Sequence, residues 1–110
     1  MSRRETQKAL QHMMDYARES IALAHNKSRQ DLDDDRTLNL AQARLLEIIG
    51  EAANRVPVEF QMEHNEIEWG QIVSLRNRLI HAYDSVDFDI MWSIIQTDLP
   101  ALVEKLEKII

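Results

Sequence analysis

Residues 35–56 read DRTLNLAQARLLEIIGEAANRV, and the reading of this stretch decides the fold. Leu38, Ala41, Leu45, Ile48, Ile49, Ala52 and Ala53 recur at steps of three and four, the pattern of one broad apolar face on an α-helix. Pro57 ends the helix, because the residue before a proline is pushed out of the α region. Gly50 inside the helix costs about 1 kcal/mol relative to alanine, so its presence predicts a close helix crossing at that point rather than a break.

Towards the N-terminus, residues 4–26 place Leu10, Met13, Met14, Ala17, Ile21 and Ala24 on one face of a second long amphipathic helix. Between the two helices, residues 27–36 hold four aspartates and no apolar period. They read as a loop whose Asp33-Asp34-Asp35 run suits a helix N-terminus through capping and the helix dipole. Towards the C-terminus, residues 57–68 are polar and irregular, with room for one short helical turn. Residues 69–82 form a third helix burying Ile72, Leu75 and Leu79. A fourth starts after a cap at Asp87, runs through Ile90, Met91, Ile94 and Ile95, and is kinked or split near Pro100 before Leu102, Leu106 and Ile109. The expected fold is all-α: an antiparallel up-and-down four-helix bundle, with residues 1–110 as a single helical domain.

Composition supports that class and narrows the function. Of 110 residues 45% are hydrophobic, only 5% are aromatic, and there are 2 Gly and 2 Pro, a balance poor for many-turned β architectures. The net charge is -6, so no overall basic field holds nucleic acid at a distance and any RNA contact must be local. The absence of cysteine removes disulfides, thiolate zinc sites and cysteine nucleophiles together, and fits a cytoplasmic location. No apolar leader and no run of 18 apolar residues is present, so neither a signal peptide nor a membrane partner is expected.

Four metal or acid–base constellations are conceivable in this sequence. Asp31, Asp33 and Asp35 match the first ligand positions of a calcium loop, but Arg36 stands where glycine is needed and Gln42 where a bidentate glutamate belongs. No glutamate has a histidine three residues on, which removes a di-iron bundle, and His12, His25 and His64 share no ligand spacing. Glu47 and Glu51, one turn apart, are either a polar edge beside Gly50 or an acid–base pair, with Glu51 able to orient a neighbour as a supporting residue. No metal and no cofactor is expected.

The chemistry concentrates in residues 70–83, GQIVSLRNRLIHAY, the longest stretch without an acid and the home of Arg76 and Arg78. Within it an Arg-Asn pair, a His four residues beyond the second position and a Tyr two further on would arise by chance only about 0.0003 times in such a chain. Cleaving RNA without metal needs a base for the 2′-OH proton, an acid for the leaving 5′-oxygen and a cation for the phosphorane. Histidine as a residue type titrates near neutrality, which suits His81 to the proton transfers, and Arg76 can grip two phosphate oxygens. Asn77 can hold the imidazole or the phosphate, and Tyr83 can stack on a base or bond a phosphate. On an ideal helix Arg76 and His81 diverge by about 140°. They converge through arginine's length, through unwinding near His81, or by meeting a second copy across a two-fold axis.

The segments Leu46-Glu47-Ile48-Ile49-Gly50-Glu51-Ala52-Ala53, Ile67-Glu68-Trp69, Arg76-Asn77-Arg78-Leu79-Ile80-His81-Ala82-Tyr83 and Asp98-Leu99-Pro100 resemble the HepT-like branch of the HEPN superfamily. Glu68 stands where proline commonly precedes the tryptophan, and Ala82 where glycine often sits. The resemblance implies a HEPN-type bundle that forms a homodimer with a composite cleft. It also implies a metal-independent endoribonuclease toxin of a type II toxin-antitoxin pair, partnered by an MNT-type nucleotidyltransferase antitoxin. Arg76 and His81 become catalytic, Asn77 supports them, Arg78 and Tyr83 bind the RNA substrate, and Tyr83 is the residue that receives AMP. The other readings are a non-catalytic HEPN-type module that binds RNA, a nucleotide or the nucleotidyltransferase, and a helical adaptor with no nucleic-acid role.

Overall fold

Two long helices, α1 (Arg3–Leu23) and α3 (Arg36–Asn54), form the antiparallel pair on which the rest of the chain is laid. The computed structural model describes residues 1–80 and 85–110. Ser2 caps α1: its Oγ accepts from the Glu5 N–H at 3.1 Å while the Glu5 carboxylate accepts from the Ser2 N–H at 3.3 Å. Hydrogen bonding from the Ser2 hydroxyl, and then from the Ser2 backbone N–H, holds the Glu5 carboxyl below its ordinary pKa. Between the helices, Gln42 and Ser20 are fully buried and satisfy one another, Ser20 Oγ donating to Gln42 Oε1 and Gln42 Nε2 to the Ser20 carbonyl at 3.0 Å. A polar pair enclosed in this way fixes the register of α1 on α3, because any slip leaves both groups buried without partners.

Residues 27–36, expected as a loop, instead carry the short helix α2 (Arg29–Asp34). Six residues are too few to show a period; a local cap, the Ser28 N–H donating to Asp31 Oδ2 at 2.7 Å, starts the helix, and contacts within it and from other elements complete it. Leu32 is buried, its carbonyl accepts from Asn39 Nδ2 at 2.9 Å, and Arg29 donates to Asp33 at 2.9 Å and to Asp89 at 2.6 Å. Of the aspartate run, Asp35 is the cap of α3, accepting from the Leu38 N–H at 3.0 Å, whereas Asp33 and Asp34 end α2. The single turn expected after Pro57 is α4 (Val58–Glu63).

The expected third helix is not continuous. It is split into α5 (Trp69–Val73) and α6 (Leu75–Leu79), and it ends at Leu79 rather than Ala82. Ser74 makes the break, its hydroxyl donating to the Gly70 carbonyl at 2.7 Å and so competing with the helical ladder. At Ile80 the backbone turns extended, Ile80 and Val86 pair as an isolated antiparallel bridge, and the Asp87 N–H reaches the Leu79 carbonyl at 2.8 Å. Tertiary pairing thus outcompetes continued helix.

Asp87 caps α7 (Phe88–Ser93) as expected, accepting from the Asp89 and Ile90 N–H groups at 3.0 and 3.1 Å. A π-helical turn, Ile94–Asp98, then leads into α8 (Leu99–Ile109), which packs on α1. Pro100 accounts for the wide turn: it has no N–H for the Gln96 carbonyl and its ring crowds that oxygen, and the Leu99 N–H bonds to Ile94 instead. The core draws on every layer, with Leu10, Met13, Leu46, Ile49, Leu75, Met91, Ile94, Leu99 and Leu106 fully buried. Counting α5 with α6 and α7 with α8, the architecture is the expected helical bundle. Among the described residues no helix is long and apolar enough to cross a membrane.

Gly50 is the expected crossing point. A Cβ there would lie 3.1 Å from the Ile72 carbonyl oxygen and 3.3 Å from that of Val73, both backbone, whereas at Gly70 it would meet nothing within 4 Å. The two glycines therefore separate propensity from packing. Gly70→Ala should gain about 0.5 to 1 kcal/mol of helix propensity, while Gly50→Ala should lose about 1 kcal/mol net, because overpacking at about 1–3 kcal/mol exceeds the same gain. Urea unfolding checks this through opposite shifts of the midpoint; a rise in both variants would mean that the crossing has room to spare.

Candidate active site

Five residues make up α6, and their spacing sorts the motif. Leu75 and Leu79, one turn apart, point into the core and leave Arg76 and Asn77 exposed, with Arg78 half-buried between the two environments. Facing them is the turn of α3 around Gly50. Glu47, Gly50, Glu51 and Asn54 from α3 line an open cleft together with Val73, Arg76 and Asn77. The absence of a side chain at Gly50 lets the two elements approach closely enough to form it.

The two arginines of the motif differ in their surroundings. Arg78 Nη2 donates to Asp98 Oδ2 at 3.0 Å and does not line the cleft. The Arg76 guanidinium makes no hydrogen bond or ion pair with any described residue, which leaves it open to an incoming oxyanion. The cleft also holds two carboxylates, and Arg44 binds both: its Nη1 lies 2.6 Å from Glu47 Oε1 and 3.6 Å from Glu51 Oε1. Their charge is in this way partly neutralised from a third side chain, which lowers the local repulsion of an anion at Arg76.

Next to the cleft, and sharing Glu47 and Arg76 with it, lies an apolar hollow lined by Ala43, Leu79, Ile80 and Val86. Leu40, one turn before Ala43, is 52% exposed, and Ile80 and Ile90 are each 37% exposed. Apolar side chains thus border the charged group on one side.

Of the residues singled out from sequence, Arg76, Asn77 and Glu51 are brought together. Arg78 is directed elsewhere, to the π-helical turn. His81, Tyr83 and the Ala82 departure lie outside the described residues. Of the other histidines, His25 is exposed, His12 Nδ1 lies 3.2 Å from Arg55 Nη2, and His64 stacks on Phe60 at 4.4 Å.

Sequence reading missed Asn54, Arg44 and Asp98. Asn54 was legible in principle, since positions 47, 50, 51 and 54 form one helical stripe. Arg44 and Asp98 were not: their partners were identifiable only once α3, α6 and the π-helical turn were set against each other.

Arg76, its guanidinium unpaired among the described residues, and Asn77 thus stand on a short helix in an open cleft of an all-helical bundle. The chain belongs to the ribonuclease HepT-like family, whose model matches residues 7–109. It is 38% identical over 95 residues to a protein of Thermococcus cleftensis named "Probable ribonuclease HepT", covering 83% of this chain and 86% of that one. A "Putative RNase" of Caldanaerobacter subterraneus subsp. tengcongensis is 34% identical over 101 residues, 92% of this chain and 90% of that one. Another "Putative RNase", from Methanocaldococcus jannaschii, is 29% identical over 107 residues, 97% of this chain and 98% of that one. No solved structure gives a significant match.

Proposed function

We propose that this protein is a metal-independent endoribonuclease that cuts RNA by attack of the 2′-oxygen on the adjacent phosphorus. The observation that carries the reading is the Arg76 guanidinium, unpaired among the described residues, beside Asn77 in an open cleft, five residues before His81 in a chain of the ribonuclease HepT-like family. Arg76 holds the non-bridging oxygens and stabilises the charge of the phosphorane. His81 removes the 2′-OH proton, and a protonated histidine returns one to the leaving 5′-oxygen, giving a 2′,3′-cyclic phosphate and a 5′-hydroxyl end. Asn77 supports the phosphate or the imidazole, Tyr83 contacts the RNA, and Glu51 helps to orient the cleft.

The two proton transfers ask for two histidines, and a homodimer supplies them. Support comes from the apolar border of the cleft, where Ala43, Ile80 and Val86 line a hollow with Arg76 and exposed Leu40 lies one turn before Ala43, a face offered to a second copy. The protein acts as the toxin of a toxin-antitoxin pair in the cytoplasm. An MNT-type nucleotidyltransferase silences it by joining the phosphorus of an AMP unit to the Tyr83 phenol oxygen, with release of pyrophosphate from ATP. The added anion repels the substrate phosphate and can occupy Arg76.

A second reading, that of a non-catalytic module for RNA, a nucleotide or the nucleotidyltransferase, is favoured by one observation: Glu47 and Glu51 share the cleft with Arg76 and oppose a polyanion.

Three outcomes are expected. Arg76→Ala and His81→Ala should each lower the cleavage rate about 100-fold or more, with wild-type products carrying cyclic phosphate ends; tight RNA binding without such ends would decide for the second reading. Sedimentation at micromolar concentration should show a dimer, and Ile80→Glu a folded monomer with little activity; a wild-type monomer would remove the composite site. Tyr83→Phe should fold, dimerise, cut RNA and escape silencing, so AMP mass on that variant, or undiminished cutting by modified wild type, would overturn this account of control.

A further inference from the structure

Three features have no part in that reading: Arg78, the π-helical turn Ile94–Asp98, and Pro100. They meet at one contact. Arg78 Nη2 donates to Asp98 Oδ2 at 3.0 Å, tying α6 to the last residue of the π-helical turn. The two side chains are only 31% and 25% exposed, and Arg78 Nη1 is buried without a partner among the described residues. A guanidinium drawn this far from water needs a counter-charge to stay there, and among the described residues Asp98 is the one that touches it.

The contact matters because of where α6 stands. Five residues cannot maintain a helix on their own, and this one is interrupted before it at Ser74 and ended after it at Leu79. Its orientation comes from outside: from Leu75 and Leu79 in the core, and from the pair made by Arg78. Leu75 and Leu79 fix its depth and which face is buried, but apolar contacts are non-directional and leave its finer rotation loose. A directed charge-assisted hydrogen bond at Arg78 removes that freedom. Arg76 and Asn77 are the two residues immediately before Arg78, so the same bond sets their aim. Pro100 acts one step earlier, by widening the turn from which Asp98 projects.

We propose that Asp98, presented by the π-helical turn and paired with Arg78, is a positioning residue of the cleft. It holds α6 in the rotation at which Arg76 and Asn77 face the scissile phosphate. Arg78 is then the receiver of that bond and not an RNA ligand. Only the activity part of the test rests on the ribonuclease reading.

Two measurements on Asp98→Asn, Arg78→Met and Arg78→Lys decide it. Hydrogen exchange follows the Ile80 N–H, bonded to the Arg76 carbonyl, and the Asp87 N–H, bonded to that of Leu79, with the amides of α1 and α3 as the control for folding. Asp98→Asn and Arg78→Met should both speed exchange at Ile80 and Asp87 while α1 and α3 stay protected. Arg78→Lys, which keeps the charge, should restore part of the protection and reads the same contact if a harsher variant does not fold. On RNA, both disrupting variants should lower kcat about 10- to 100-fold with KM within about twofold, the signature of a misplaced group. Unchanged exchange at Ile80 and Asp87 overturns the proposal even if the protein cuts no RNA. So does the opposite pattern on RNA, in which Arg78→Met raises KM and lowers the salt slope by about one while Asp98→Asn, by freeing Arg78, tightens binding.

Discussion

The approach of Gly50 to the carbonyls of Ile72 and Val73 is the constraint on which the functional end of the molecule depends. A side chain at this position would press on the Ile72 and Val73 carbonyls and force α5 and α6 back from α3 by a few tenths of an ångström. With hydrogen there, the break at Ser74 can lie against α3, and the carbonyls loosened by that break face a surface without a Cβ. The cost of a glycine in mid-helix, about 1 kcal/mol, is offset by the packing that it allows. Glu47, Glu51 and Asn54 flank Gly50 on α3, and Val73, Arg76 and Asn77 flank the break, so one contact both packs the bundle and assembles the cleft.

From that contact the chain divides the labour between two arginines two residues apart. On a helix such residues point in directions about 200° apart, and here the separation is used fully. Arg78 goes to Asp98 and ties the short helix to the far side of the bundle, while Arg76 stays free in the cleft. The free cation resides on an element whose ends are both irregular. Its direction is therefore imposed by neighbours that carry other structural tasks, among them the proline-widened turn before α8.

Electrostatics set the terms for any anionic ligand. The chain carries a net charge of -6, and its cleft contains two glutamates, so attraction must be local and short-ranged. Arg44 supplies part of the answer by binding Glu47 and Glu51 on α3 itself. The bare Arg76 supplies the rest. Such a site offers little to a polyanion at a distance and most to one phosphate seated in the cleft, an arrangement suited to recognising a particular bond more than to holding long RNA.

Much of this was readable in residue order. The 3.6-residue periods of α1, α3 and α8, the stop at Pro57, the cap at Asp87 and the crossing at Gly50 are local consequences of side-chain type and are legible wherever a helix is long enough to show its face. The acid-free motif and its two arginines were equally plain, as was the membership that the whole chain's pattern conveys. What the order of residues did not determine was everything settled by a partner distant in sequence. Helix α2 exists because Leu32 is buried and Asn39 and Asp89 hold its ends. The third helix stops at Leu79 because Ile80 pairs with Val86 and the Asp87 N–H takes the Leu79 carbonyl. Arg78 leaves the cleft because Asp98 waits 20 residues on. Periodicity reports what one segment offers to a core, whereas the ending of a short helix and the partner of a charge depend on free-energy differences of about 1 kcal/mol, which only the assembled tertiary structure decides.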